Sequence, residues 1–409
     1  MNFLYWFTSA FIAVLVGICS FNWLVDPFAM YWSDTYAGFN RLKPEAELRS
    51  RVVKAYRSLE VCPNVLIVGN SRPEMGLDPT HPLFEGKTVY NLALPGADLP
   101  MQLDYAENVL QSMHCGGVEM IFLSIDFLDF LLPEDGAISQ VPPEYLSRLE
   151  GLGEDTLSAS VFRLKEKSSL FFSLDATTAS IRTTLNQSEE VNSITPLGFN
   201  TAGEYIDIIR HEGIAPLFRQ KFISLQKGLT SRQFKLLNTE QENPYMNRLS
   251  GFIGQATGQG IQVYAFTSPY HYSYLHLLAE LGYWQSFNQW KLMLADLATS
   301  VSSERVYFWD FSGFSDFTTE AFPVGKSTEP MQWYWEPAHY RKELGDIMLQ
   351  KMLGEEAGRV EFGRSLDGDS IQSILAEDRA GLQGTAYKWE TLQGTLNFAI
   401  EEQPGGVNH

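Results

Sequence analysis

NVLIVGNSRPEMGLDP, residues 64–79, is the stretch on which the fold turns. The apolar run Val65 to Val68 ends in Gly69-Asn70-Ser71-Arg72. It reads as a buried parallel strand that delivers a serine to a turn at its C-terminal end. Ligands and catalytic groups of open α/β sheets collect at those ends. Far downstream, Trp335-Glu336-Pro337-Ala338-His339-Tyr340 precedes a helical pattern. The two stretches supply a nucleophile, a carboxylate and a base in the order Ser71, Glu336, His339. Each is a weak signal alone. At opposite ends of one α/β pattern they point to hydrolase or acyl-transferase chemistry.

Outward from residues 64–69 the pattern alternates strand and helix. Strands are expected at 88–93 (TVYNLA), 118–126 (VEMIFLSID), 262–267 (QVYAFT) and 305–311 (RVYFWDF). Helices are expected at about Pro100 to Met113, Pro244 to Thr257, His276 to Ala298, and from Tyr340 onward. Such alternation implies a parallel sheet with helices on both faces. Residues 131–240 break the rhythm. A structureless loop of that length would be unusual, so the stretch reads as a folded, mainly helical cap. Residues 356–409 read as an extension packed partly on the body, with a disordered end. The chain has no internal repeat, no Gly-rich phosphate loop and no Cys/His zinc spacing.

With 44% apolar and 13% aromatic residues, the 409-residue chain can bury a full core. Its formal net charge of -19 argues against nucleic acid or an anionic membrane surface as partner. Residues 3–25 carry no charge and have the length of a bilayer span. Trp6 and Trp23 stand near the ends, as interfacial aromatics do. A small-residue cleavage site and a basic leader are missing, so the segment reads as an uncleaved anchor rather than a signal peptide. The positive-inside rule does not orient it. Cys62 and Cys115 each precede an expected strand by two residues. A disulfide between them would imply an oxidising compartment, and two buried thiols are the alternative.

A serine hydroxyl needs a base to take its proton. His339 is the natural one, with Glu336 to orient and charge-stabilise its imidazole. The competing reading is a capping serine and a surface histidine. His271, after the strand 262–267, is either a pocket residue or a structural histidine. Its five-residue spacing from His276 does not suit one helical face, so no metal is expected. Trp309, Phe311, Trp333, Tyr334 and Trp335 crowd the approach to His339, as a sugar-stacking wall or as core.

On these motifs the chain resembles the SGNH/GDSL hydrolase superfamily. Gly69-Asn70-Ser71-Arg72 stands as its first block and Glu336-Pro337-Ala338-His339 as its fifth. Tyr90 to Ala97, with Asn91 and Gly96, stands as the second. The resemblance covers about residues 60–355 outside the insertion. It is closest to membrane-anchored relatives found with exopolysaccharide synthesis, including the domain of alginate O-acetyltransferases. It implies a three-layer α/β/α sandwich with a five-stranded parallel sheet in the order 2-1-3-4-5. The organisation is then an anchor at 3–25, a juxtamembrane segment and helix at 26–60, the main domain at 61–355 with its cap at about 131–240, and the extension at 356–409. Gly96 would supply an oxyanion N–H beside that of Ser71, with Asn91 at the pocket. The strand order makes the strands after Cys62 and Cys115 neighbours, which favours the disulfide. Three positions depart from the family pattern: Asn70 for Asp, Glu336 for Asp, and Asp126 where an Asn donates to the oxyanion. An ionised carboxylate cannot donate. Arg72 could pair with Asp126 or bind an anionic substrate.

The resemblance implies serine-dependent ester chemistry on a cell-envelope or exported polysaccharide, O-acetyl transfer or hydrolysis, through an acyl-Ser71 intermediate. No cofactor is implied. The partners would be a polysaccharide or small acyl ester, the membrane, and polysaccharide synthesis machinery. The location would be the inner membrane, single-pass, with the main domain extracytoplasmic. The alternative is a catalytically weakened scaffold that binds polysaccharide or organises a synthesis complex, which Asp126 favours. A flavodoxin-like nucleotide-binding domain would leave Glu336 and His339 unexplained.

Overall fold

The computed structural model describes residues 2–400 except 33, 113–114, 116, 135–142, 153–155, 189–191 and 355–360. The final stretch 401–409, expected to be disordered, lies outside the described residues. The chain is α/β and forms two compact units. One comprises Met1–Cys62, Asp104–Gly116 and Val141–Gly203, and the other Pro63–Leu103, Gly117–Gln140 and Glu204–His409. The stretch 131–240 is therefore divided between them.

The second unit holds the sheet. Its strands are β1 (Val65–Val68), β2 (Val89–Asn91), β3 (Met120–Ile125), β4 (Gln262–Thr267), β5 (Val306–Asp310) and β6 (Arg364–Ser365). They lie in the order β2-β1-β3-β4-β5-β6. The first five are parallel, with Leu66 opposite Tyr90 and Ile121. The expected five-stranded parallel sheet is thus corrected to a mixed one of six. β6 runs antiparallel to β5, with Arg364 opposite Asp310.

β1 is buried along its whole length because both sheet faces are covered. On one face, alternate residues Val65, Ile67, Phe122 and Phe266 pack with Leu344, Met348 and Leu349 of the helix Lys342–Leu353. That helix starts two residues later than expected, because His339 and Tyr340 belong to a short antiparallel ribbon. The helix expected at 276–298 is two helices, Tyr272–Glu280 and Trp284–Ser300. Gly282, at φ +86°, turns the chain between them, a conformation that ends a right-handed helix.

β6 is held by charge rather than by apolar periodicity. Lys291, fully buried, reaches Asp310 at 3.0 Å and Asp378 at 2.5 Å. Arg364 reaches the same two carboxylates at 2.6 and 2.9 Å. Thr267 and Ser312 hydroxyls donate to the other Asp310 oxygen, each at 2.7 Å. Burial opposes ionisation of Asp310, but Lys291 and Arg364 hold its carboxyl below the usual range.

In the first unit, the helix Asn2–Val25 ends on buried polar groups. Asn40 Nδ2 donates to Leu24 O at 2.8 Å and Lys43 Nζ to Val25 O at 2.6 Å, satisfying carbonyls that a helix end leaves open. The Asp26 carboxylate then accepts the N–H groups of Met30, Tyr31 and Trp32 and turns the chain. Residues Phe3–Val25 are long and apolar enough to cross a membrane. Cys62 and Cys115 form a disulfide, with Cα atoms 4.8 Å apart. A small core of Phe28, Met30, Val53, Tyr56, Leu170 and Phe171 closes this unit.

Candidate active site

Ser71 opens the short helix Ser71–Gly76 at the C-terminal end of β1. Asn70 caps that helix, its Oδ1 accepting Arg72 N–H at 3.1 Å, a role that Asn fills as well as Asp. Gly69 makes the turn at φ +154°. A Cβ there would lie 2.6 Å from Pro73 Cγ and 2.8 Å from Ser124 Cβ, so only glycine fits.

Glu336 and His339 stand opposite each other on the ribbon Tyr334–Glu336 and His339–Tyr340, with Pro337 and Ala338 as its turn. Ser71 Oγ lies 2.7 Å from His339 Nε2. The other ring nitrogen, Nδ1, meets Glu336 Oε1. A carboxylate only accepts, so Nδ1 carries the proton and Nε2 is free to accept from Ser71. The second Glu336 oxygen takes the N–H of Ala338 at 2.9 Å. Burial pushes the Glu336 carboxyl up. Lys221, 3.3 Å away, together with His339 and the Ala338 N–H, outweighs this and holds it at about 2. Burial lowers His339 below the ordinary imidazole value, and the attraction of Glu336 only partly offsets this. A neutral imidazole with its free nitrogen on a serine hydroxyl can take a proton at neutral pH.

Arg72 turns away from that line. It pairs with Asp126, and both side chains are buried. Its guanidinium lies over the rings of Tyr270 and Tyr274, at 5.1 and 5.8 Å from their centroids. The other Asp126 oxygen accepts Leu128 N–H at 2.9 Å. Asp126 is thus spent on an ion pair and a cap. Burial and the Asp126 charge raise the neighbouring Asp129 well above the usual carboxyl range.

Asn91 and His271 spend their side chains on hydrogen bonds to the backbone and to Ser273. Asn91, at the end of β2, is fully buried. Its amide donates to Pro73 O at 2.8 Å and Leu77 O at 2.9 Å, clamping the helix that Ser71 begins. His271 Nε2 donates to Glu320 O at 2.9 Å, and Nδ1 accepts from Ser273 Oγ at 2.6 Å. Burial lowers this imidazole to about 4, so it is neutral. The backbone N–H of His271 donates to Pro337 O at 3.0 Å, which steadies the turn between Glu336 and His339. Gly96 lies exposed in the turn after β2, at φ +60°. Leu94 N–H donates to Gly69 O at 2.8 Å, which ties the start of that turn to the residue two before Ser71. Tyr334, Trp335 and Phe311 are core residues, and Trp309 and Trp333 pack half-buried against the same core.

Two contributors escaped the sequence reading. Lys221 comes from the helix Ala215–Thr230, where its local pattern is that of any amphipathic helix. Tyr205 brings its ring 5.9 Å from that of His339. A cavity of about 300 Å³ lies between Arg72, Lys221 and Tyr274 and the apolar Leu128, Leu225 and Leu229. Among the described residues, no group of His, Cys, Asp and Glu could hold a metal ion.

The fold and site together define an α/β protein with a Ser-His-Glu relay at the C-terminal end of a parallel strand. The chain matches no family model, no curated protein and no solved structure.

Proposed function

We propose that this chain is a membrane-anchored serine esterase or O-acyltransferase of the SGNH type, acting on a cell-envelope or exported polysaccharide. The observation that carries the reading is the continuous relay from Ser71 Oγ through His339 to Glu336. In the first half-reaction the Ser71 hydroxyl gives its proton to His339 Nε2 while Oγ attacks the acyl carbonyl carbon. The N–H groups of Ser71 and Gly96 receive the developing oxyanion. The tetrahedral species collapses, the C–O bond to the leaving alcohol breaks, and that oxygen takes the proton from His339. The acyl-Ser71 ester then reacts with water or a sugar hydroxyl, whose proton passes to His339 and on to Ser71 Oγ. Throughout, the Glu336 charge stabilises the imidazolium and fixes its tautomer. The largely apolar cavity beside Arg72 and Lys221 suits the acyl portion. The disulfide supports an oxidising, extracytoplasmic setting, and the apolar helix Phe3–Val25 supports a single-pass anchor in the inner membrane.

One observation favours a second reading. With Asp126 paired to Arg72, the site lacks a side-chain oxyanion donor from that strand end. Loss of one such donor costs about 10²–10³ in rate, and a scaffold that binds polysaccharide without turnover would tolerate it. Both readings meet one experiment. Ser71→Ala and His339→Ala should each abolish hydrolysis of an acetyl ester, and a fluorophosphonate should label Ser71 alone. Equal turnover in wild type and both variants, with Ser71 unlabelled, would leave the scaffold reading.

A further inference from the structure

The helices Leu157–Ser169 and Leu174–Leu185 form a hairpin in the first unit. It turns apolar side chains outward. Leu157, Val161 and Leu164, spaced i, i+4, i+7, are 82%, 55% and 67% exposed. On the second helix Leu174, Ile181 and Leu185 are 86%, 48% and 76% exposed, and Phe172 in the connection is 66% exposed. Both sets fall on single helical faces. Water is a poor solvent for such a surface, since burying each leucine would gain about 1.5–3 kcal/mol. Exposed apolar patches of this extent mark interaction surfaces.

The opposite face of the second helix identifies what covers the patch. Its buried residues are Ala176, Ala179, Ser180 and Thr183, small enough for close helix approach. That helix packs on the N-terminal helix. Asn22 Nδ2 donates to Phe171 O at 2.8 Å and to Thr177 Oγ1 at 3.0 Å. Between hairpin and N-terminal helix runs an open groove of about 640 Å³, walled by Leu15, Val16, Cys19 and Trp23 on one side and Leu164 and Phe172 on the other. Leu15 lies ten residues before Val25, so this wall extends about 15 Å along the helix axis from its C-terminal end. A hydrocarbon core is about 30 Å thick. If the N-terminal helix spans the bilayer, the hairpin packed beside it cannot stand in water. The one acidic residue in the first turn of the second helix, Asp175, is paired with Arg49 at 3.1 Å.

We propose that residues 157–185 form a second membrane-embedded element, lying in one leaflet beside the anchor with Leu157, Leu164, Leu174 and Leu185 among lipid acyl chains. A lipid chain fills the groove between hairpin and anchor. The proposal rests on the reading of Phe3–Val25 as a bilayer span. It goes beyond a single-pass tether, because a tether fixes only a point whereas a hairpin fixes the depth and tilt of its unit.

The test uses the full chain in phospholipid nanodiscs, with Cys19→Ser removing the free thiol. Single cysteines replace Leu157, Leu174, Val14 in the anchor, or Val324 on an exposed loop, and each carries an environment-sensitive nitrobenzoxadiazole label. Labels at Leu157→Cys and Leu174→Cys should emit at shorter wavelength than that at Val324→Cys. They should lose intensity to doxyl-labelled lipid as the Val14→Cys label does, and resist iodide. Quenching by lipid at Val14→Cys alone would overturn the hairpin and leave the anchor standing. A blue-shifted hairpin label that doxyl lipid does not quench would mean a protein partner covers the face, which also overturns the proposal. No quenching at Val14→Cys would overturn anchor and hairpin together.

Discussion

Arg72→Met removes the cation paired with Asp126, and the structure bounds the cost. Both side chains are nearly inaccessible, at 9% and 1% exposure, so water cannot replace the lost partner. Breaking a buried pair by deleting one member costs about 3–5 kcal/mol. The variant also loses the guanidinium over Tyr270 and Tyr274, at about 0.5–2 kcal/mol for each such contact. A loss of about 4–9 kcal/mol in all is expected, a large share of the 5–15 kcal/mol that holds a typical domain. Adding Asp126→Asn should return at least half of it. The amide is neutral, and its oxygen can still accept Leu128 N–H. The assay is denaturant unfolding in detergent micelles for wild type, both single variants and the double variant. The reasoning is refuted if Arg72→Met costs less than about 1 kcal/mol, the value of an exposed pair. It is refuted equally if the double variant is no more stable than the single. Ester turnover of Asp126→Asn alone, followed in parallel, should rise, since the amide can donate where the carboxylate cannot.

Four further outcomes are expected. The acid limb of kcat/KM should fall below the free imidazole value of about 6.5, because buried His339 must be neutral to accept the Ser71 proton. Lys221→Met, which removes a cation opposing His339 protonation, should move that limb upward, and a pH–rate profile checks both. His271, neutral when folded with its value lowered to about 4, disfavours acid. Its contribution stands in full above about pH 6.5 and drains as pH falls toward 4, at a cost of about 3 kcal/mol. His271→Gln should flatten that part of the stability–pH curve, measured by unfolding at stepped pH. The disulfide closes a loop of 53 residues, so Cys62→Ala with Cys115→Ala should cost about 4 kcal/mol by the loop-entropy relation. Matching unfolding midpoints in oxidised wild type and this double variant would contradict it.

The parallel strands were legible because each is a short apolar run closed by a turn residue, as at Val65 to Gly69. The relay was legible as two motifs 268 positions apart, one at the C-terminal end of β1 and one on the short ribbon that brings Glu336 and His339 to it. β6 was not legible. It is two residues long, carries Arg364, and owes its place to Asp310 and Asp378, which no periodicity encodes. Lys221 was hidden for a related reason. Its partner Glu336 lies far along the chain, and a lysine on an amphipathic helix has no local mark of function. Asn91 and His271 were expected at the pocket, but sequence spacing does not distinguish a side chain that lines a pocket from one that braces its frame.

The buried knot of Lys291, Asp310, Arg364 and Asp378 bears on where this chain can be cut. A boundary at the end of the helix Lys342–Leu353 looks natural, since the five parallel strands and the relay all precede it. Such a truncation would keep Lys291 and Asp310 but discard both of their cross-partners, Arg364 and Asp378. It would also strip β6 from β5 and bare a strand edge, a template for aggregation. Each severed piece would carry one cation and one anion of the knot. The two should therefore recognise each other when expressed as separate polypeptides, and this sheet edge is a natural place to split the protein for reassembly in trans.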